Sequence, residues 1–303
     1  MRAVVYKSTG SWYTVKDDAG NWHNARMRGV FKTEELMSTN PIAVGDEVEV
    51  EIESETENTA IITEMLDRRN YINRQSPRSK YHHHIVAANL DQTLLVATLK
   101  DPKTSQGFID RFLVAAEMYH VKAQVVFNKS DIYRAKEQAK YEELKAMYEA
   151  IGYPTHLVRL KDNTGLEELE ASLGGKTTLI SGHSGVGKSS LLNRLVPGLV
   201  IKTQDVSDWS GKGMHTTTFA QMYDLPAGGR IIDTPGMREF GLVNLEKQEL
   251  SHYYPEMRIR LNDCQFNNCL HTNEPGCAIK EAVANGEISE DRYVSYVNIL
   301  DSL

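Results

Sequence analysis

Apolar positions fall into three regimes along the chain. Up to about residue 66 they alternate. Val48, Val50 and Ile52 alternate with acids in EVEVEIE, the period of a strand with one buried face, and MRAVVYKSTGSWYTV at the N-terminus reads the same way. TAIITEML (59–66) predicts another strand, KDDAGNW (16–22) a turn, and NPIAVGD (40–46) a further Pro/Gly break. Several short strands in so few residues predict a small barrel of SH3 or OB type.

From about residue 89 strands and helices take turns. TLLVATL (93–99), AQVVF (123–127), THLVRL (155–160), TTLIS (177–181), FAQMYDL (219–225) and GRIID (229–233) read as strands. FIDRFLVAAEMY (108–119), KEQAKYEELKAMYEAIG (136–152) and GLEELEASL (165–173) have helical spacing. This alternation predicts a mainly parallel sheet with helices on both faces. After about residue 243 the chain reads as helical and polar, ending in EISEDRYVSYVNILDSL. The pattern divides the chain into a barrel (1–68), a linker (69–88), an α/β domain (89–243) and a helical C-terminal domain (244–303).

Composition adds little to this: 303 residues, 41% hydrophobic and 25% charged, suit two or three globular domains. No apolar run approaches the roughly 20 residues that span a bilayer, and the N-terminus lacks the apolar segment of a signal peptide. A cytoplasmic protein without membrane contact is expected. The net charge of −7 argues against a general nucleic-acid coat, but charge is uneven. Residues 1–66 hold 12 acids against 6 bases, whereas RRNYINRQSPRSK (68–80) holds five bases and no acid. That stretch suits a solvated linker and a polyanion contact equally well. The adjacent His82, His83 and His84 would point different ways on a strand or a helix, so they read as surface residues rather than one metal site.

Candidate chemistry gathers at strand ends. Gly182-His183-Ser184-Gly185-Val186-Gly187-Lys188-Ser189, followed by Ser190, fits the phosphate-binding loop G-x-x-x-x-G-K-[ST] between a strand and a helix. Lys188 would reach the β- and γ-phosphates, and the Ser189 hydroxyl would bind magnesium. His183 occupies a free position in the motif. Asp233-Thr234-Pro235-Gly236 ends a strand. Its acid suits water-mediated magnesium binding, and the Gly236 N–H suits the γ-phosphate. Met237 follows where many GTPases carry a water-orienting Gln, and a thioether cannot orient water. Between these motifs lies GKGMHTTTF (211–219). Thr216 or Thr217 could close on magnesium and the γ-phosphate, with Thr217 taken as the magnesium ligand, and His215 could act on the attacking water.

Asn128-Lys129-Ser130-Asp131 supplies a guanine-reading set. The Asp131 carboxylate can accept from guanine N1–H and N2–H₂, donors that adenine does not offer there. Asn128 can steady the loop, and the Lys129 stem can lie across the base. The motif precedes the phosphate loop in the chain, the reverse of the usual order, which a circular permutation explains without moving a residue in space. Near the C-terminus, Cys264-x4-Cys269-x-His271-x5-Cys277 supplies three thiolates and an imidazole, the donor set of a closed structural zinc site.

In that order these motifs, preceded by a small barrel, resemble the circularly permuted ribosome-associated GTPases of the RsgA (YjeQ/YloQ) type over nearly the whole chain. The resemblance implies an OB-type barrel, a permuted P-loop GTPase domain and a zinc-binding C-terminal domain. It also implies GTP and GDP as ligands, magnesium with GTP, and one structural zinc. Binding to the 30S subunit and its 16S rRNA late in assembly is implied too, with slow hydrolysis that the subunit stimulates. His215 maps onto the switch-loop histidine thought to complete the site in that family. Two positions depart from the pattern: His183 stands where Gln is frequent, and Val158-Arg159-Leu160-Lys161 replaces a Ser-Ala-x loop, leaving the Leu160 N–H to meet guanine O6. Arg26, Arg28 and Lys32 are the barrel's candidate RNA contacts. A monomer is expected. The competing readings are a GTP-regulated binding module with little turnover, and an ATPase or kinase in which NKSD is accidental.

Overall fold

The computed structural model describes residues 1–28, 41–76, 79–201, 219–234, 242 and 244–303, without the side chains of 74–83. Strands β1 (Arg2–Ser8), β2 (Tyr13–Asp17), β3 (Trp22–Met27), β4 (Glu47–Ser54) and β5 (Thr59–Met65) close in the order β1-β2-β3-β5-β4, with β4 returning to β1. This is the OB-type barrel that the alternation predicts. Ala3, Val5, Val15, Val48, Val50 and Ile62 fill it, and the intervening residues face outward.

Where the sequence reads as a linker, the chain forms an antiparallel hairpin, β6 (Tyr71–Ser76) with β7 (Ser79–Ala88). Basic residues mask its apolar set: Ile72, Ile85, Ala87 and Ala88 are buried. The two basic residues of 68–80 whose side chains are described, Arg68 and Arg69, both have partners within the fold. Arg68 clasps the buried Asp46 with both ends of its guanidinium, each at 2.6 Å, and Arg69 pairs with Asp91 at 3.1 Å. Gly45 allows the barrel to approach this hairpin, since a Cβ there would lie 2.1 Å from the Ala88 carbonyl oxygen.

The central sheet runs β10 (Thr155–Leu157), β9 (Lys122–Phe127), β8 (Gln92–Ala97), β11 (Thr177–Ser181), β13 (Arg230–Asp233) and β12 (Gln221–Asp224). All are parallel except β12, which pairs antiparallel with β13. THLVRL shortens to the three residues of β10, which pair with Val125–Phe127 before the chain turns away. Alternate residues enter opposite cores. Leu95, Val125, Phe127 and Leu179 pack with α1 (Gln106–Met118) and α2 (Ala135–Ala150). Leu94, Val96, Val126 and Ile180 pack with α3 (Leu166–Leu173) and α4 (Lys188–Leu195). A polar chain crosses four strands. His156 Nε2 bonds Gln124 Oε1 at 2.8 Å, Gln124 Nε2 donates to Gln92 Oε1 at 2.8 Å, and Gln92 Nε2 donates to Thr178 Oγ1 at 3.0 Å. A slip of one strand would strand these groups unpaired, so the chain helps fix register.

The C-terminal residues include α5 (Pro255–Arg258), α6 (Ala278–Ala284) and α7 (Glu290–Ser302). Their surface is polar, but Tyr254, Met257, Ile279, Tyr296 and Leu300 form a core that Val114 of α1 joins. At this junction Arg292 is 1% exposed. Its Nη1 donates to Asp110 Oδ1 at 2.7 Å, its Nε and Nη2 donate to Glu256 at 2.7 and 3.2 Å, and the Tyr254 ring lies 4.4 Å away. Tyr148 donates to the same Asp110 oxygen at 2.8 Å. Removing one partner of a buried ion pair leaves the others charged and dry. Arg292→Leu is therefore expected to destabilise the protein by about 3–5 kcal/mol, measured by urea unfolding, and a loss near zero would contradict the arrangement.

Candidate functional site

The phosphate-loop motif leaves β11 and turns into α4. Two of its glycines are fixed by contacts as well as by conformation. Gly182 has φ +144°, and a Cβ there would lie 2.3 Å from the Val96 carbonyl oxygen. Gly187 has φ +96°, and its Cβ would lie 2.3 Å from Asn128 Nδ2. Between them Val186 is fully buried, anchoring the loop from within, while Ser184 and Gly185 are exposed. Ser189 and Ser190 lie in the first turn of α4, where unpaired N–H groups and the helix dipole favour an anion.

Asn128 of the NKSD segment reaches this loop directly. Its Nδ2 donates to the Val186 carbonyl oxygen at 2.9 Å, across 58 residues of sequence. Asn128 itself is 2% exposed, and its backbone N–H donates to Ala97 O at 2.9 Å. The Tyr133 hydroxyl closes the loop, donating to Asn128 O at 2.8 Å while accepting from the Leu99 N–H at 2.9 Å. Lys129 adopts φ +61° and extends its ammonium to Asp101 O at 2.7 Å, so its stem bridges two loops at the same sheet edge. Asp131 is exposed in the single turn of 3-10 helix Ser130–Ile132. Leu160 is half-buried against the α3–α4 core. Its loop is tied to NKSD by the Ser130 N–H, which donates to Val158 O at 3.3 Å, and is folded by Arg159 Nε donating to Asp162 Oδ1 at 2.8 Å.

Lys188 folds back over the loop, donating to Gly182 O at 2.5 Å and His183 O at 2.7 Å. Burial lowers its pKa, and the Asp233 carboxylate opposes that shift. Burial raises the Asp233 pKa in turn, against the pull of Lys188 and of the Thr234 N–H. Each group thus feels the other's charge, Lys188 from the start of α4 and Asp233 from the end of β13. Asn128 Oδ1, Ser181 Oγ and Thr234 Oγ1 are buried polar atoms at this edge with no hydrogen-bond partner among the described residues. His183, a free position in the motif, packs its ring on Phe108 of α1 with centroids 3.6 Å apart, a contact that sequence spacing does not reveal.

The structure thus brings together Asn128, Lys129, Asp131, Leu160, 182–190 and Asp233. His215, Thr216, Thr217, Gly236 and Met237 lie outside the described residues, as does Lys32 of the basic barrel cluster. Arg26 pairs with Glu53 and Arg28 with Glu51, so acids partner both remaining charges of that cluster.

Cys264, Cys269, His271 and Cys277 hold their donor atoms within 4.8 Å of one another. His271 Nδ1 lies 3.6 Å from the Cys264 sulfur and 3.4 Å from that of Cys277. A tetrahedral centre with Zn–S about 2.3 Å and Zn–N about 2.0–2.1 Å separates sulfur and nitrogen by about 3.6 Å, so the donor set can hold such an ion. Burial pushes the Cys269 thiol up to about 12, and a bound cation is what would deprotonate it near neutral pH. The loop is braced independently. Burial opposes ionisation of Glu274, but N–H groups including those of Leu270 and Thr272, each at 2.9 Å, bring its pKa down to about 2. Tyr293 and Tyr296 of α7 donate to His271 O and Leu270 O at 2.6 and 2.9 Å.

Comparison with known proteins agrees with this geometry. Residues 65–243 match the RsgA GTPase family and residues 4–62 the RsgA N-terminal domain. The chain is 48% identical over 301 residues to the small ribosomal subunit biogenesis GTPase RsgA 2 of Bacteroides thetaiotaomicron, covering 99% of this chain and 96% of that protein. It is 49% identical to the corresponding protein of Cytophaga hutchinsonii, over 99% of this chain and 98% of that one. Among solved structures, YjeQ from Thermotoga maritima superposes with a TM-score of 0.82 at 37% identity, covering 100% of this chain and 98% of the other. YloQ, described as a circularly permuted GTPase, superposes with a TM-score of 0.77 at 28% identity, covering 99% and 94%.

Proposed function

The chain belongs to the RsgA family of GTPases, and on that premise we propose that it binds the 30S ribosomal subunit and assists its late maturation, hydrolysing GTP with stimulation by the subunit. The observation that carries the nucleotide part is the Asn128–Val186 hydrogen bond, which seats the base-reading motif on the phosphate loop. In this reading Asp131 selects guanine, the Lys129 stem covers the base and the Leu160 N–H meets guanine O6. Backbone N–H groups of 182–190 and the Lys188 ammonium hold the phosphates. Ser189 and Thr217 would hold magnesium, with Asp233 acting through water, and the ion would neutralise charge developing on the phosphates. Thr216 and the Gly236 N–H complete the γ-phosphate contacts. His215 positions the attacking water, a task that Met237 cannot perform.

The working units are a barrel over 1–68, a connection over 69–88, the GTPase domain over 89–243 and a metal-bearing domain over 244–303. The barrel contacts 16S rRNA, and the protein acts as a cytoplasmic monomer; no helix among the described residues is long and apolar enough to cross a membrane. Cys264, Cys269, Cys277 and His271 Nδ1 would hold one zinc ion as a structural centre, since four protein ligands leave no open position.

Hydrolysis measured across a titration of small subunits tests the functional reading. The rate is expected to rise and saturate, gaining on the order of 100-fold if the subunit positions a proton-transfer group. No rise would leave a GTP-regulated binding module with little turnover. Metal analysis tests the other centre: one zinc per chain is expected, lost in Cys277→Ser together with the protease resistance of residues 244–303. GTP affinity should stay unchanged in that variant. An intact C-terminal domain without zinc would contradict the assignment.

A further inference from the structure

The barrel and the α/β domain meet at a narrow backbone seam. β1 and β12 share a single registered pair, Lys7 with Gln221, whereas β1 pairs with β2 from Ala3 to Ser8. One carboxylate aligns the seam. Asp224, the last residue of β12, accepts from the Tyr6 hydroxyl at 2.5 Å and from Lys16 Nζ at 2.6 Å. Aromatic and cationic groups surround this clasp. The Trp22 ring meets Tyr6 edge-on with centroids 4.7 Å apart, and Lys16 Nζ stands 5.2 Å from the Trp22 ring and 5.8 Å from the Tyr6 ring. The Arg230 guanidinium lies 5.8 Å from the Tyr6 ring. Tyr6, Lys16 and Trp22 belong to three barrel strands, and Asp224 and Arg230 belong to the sheet of the α/β domain.

The same hairpin reaches the nucleotide site. Arg230 is the register partner of Asp224, and β13 runs from Arg230 to Asp233, which pairs in register with Ile180 just before the 182–190 loop and feels the Lys188 charge. At about 3.3 Å per residue, roughly 10 Å separate the clasp from the phosphate site. β13 is hydrogen-bonded to β11 on one side and β12 on the other, so it moves as part of a body rather than bending alone. A γ-phosphate, present in GTP and absent in GDP, would add negative charge beside the Asp233 carboxyl and draw on Lys188. The two nucleotides therefore interact differently with the end of this strand, which is what a shift between two arrangements requires.

Resting on the nucleotide reading above, we propose that Asp224 is a positioning residue that makes the placement of the barrel depend on the bound nucleotide. Lys16 bonds Asp224 and also stands over Trp22, so a displaced carboxylate changes the charge beside that indole. By reciprocity, a polyanion bound to the barrel would change the preference between GTP and GDP.

The chain has three tryptophans, Trp12, Trp22 and Trp209, so Trp12→Phe with Trp209→Phe leaves Trp22 as the sole reporter. Its emission maximum and acrylamide quenching would be recorded with GDP and with a non-hydrolysable GTP analogue. The proposal expects the two states to differ, and expects Asp224→Asn to abolish the difference. Lys16→Met, which removes the other half of the ion pair, provides a second route to the same loss should Asp224→Asn fold poorly. Identical emission in both nucleotide states would overturn the proposal. So would a difference that survives both substitutions, even with a lowered melting temperature, because that would leave the clasp a purely structural role. Binding of fluorescent GDP to the same samples separates the two ideas: loss of binding in the parent would count against the nucleotide site itself.

Discussion

The side-chain amide of Asn128, bonded at 2.9 Å to the Val186 carbonyl, is the contact on which the site depends. It joins two loops that the chain visits in an inverted order, and it does so where both are dry. Deleting it would leave a buried carbonyl unpaired at a cost of about 1–3 kcal/mol and would release the NKSD loop from the 182–190 loop. The neighbouring Gly187 follows from the same contact, because any side chain there would collide with the Asn128 amide. The inverted order changes nothing in this geometry. β8, β9 and β11 still end at one edge of the sheet, which is where ligands of such sheets bind.

The rest of the molecule is fastened to that edge from two sides. On one side α1 carries Phe108, stacked on His183, and two residues later Asp110, bonded to the buried Arg292 of α7. The phosphate loop and the C-terminal domain thus share a single helix. On the other side the β12–β13 hairpin carries Asp233 at one end and the Asp224 clasp to the barrel at the other. At both junctions charged contacts stand beside apolar ones: Arg292 is fully buried next to the core that Val114 of α1 joins, and the Asp224 clasp holds Tyr6, which enters the central core. Such contacts are costly to break singly and specific in direction.

Much of this was legible in the sequence, for physical reasons. Period-two alternation in EVEVEIE reports a half-buried strand, and TTLIS before GHSGVGKSS reports a strand entering an anion-binding turn, so the barrel and the phosphate loop could be read directly. The hairpin at 71–88 could not, because its buried apolar residues, Ile72, Ile85, Ala87 and Ala88, are few and separated by a long polar, basic stretch that shows no strand period. Arg292 was hidden for a similar reason. A charged residue on a polar-looking helix reads as solvated, and only tertiary contact with Asp110 and Glu256 reveals it as core. The His183–Phe108 stack was likewise invisible, since nothing in sequence spacing brings α1 beneath the phosphate loop.

The central claim is that NKSD reads a guanine whose phosphates the 182–190 loop holds. Equilibrium affinities of the native chain and of Asp131→Asn for guanine, xanthine and adenine nucleotides test it most directly. The native chain should prefer guanine. The substitution should weaken guanine binding on the order of 10- to 100-fold, the value of hydrogen bonds to a charged acceptor, with no comparable loss for adenine. A guanine preference unchanged by the substitution would contradict the account.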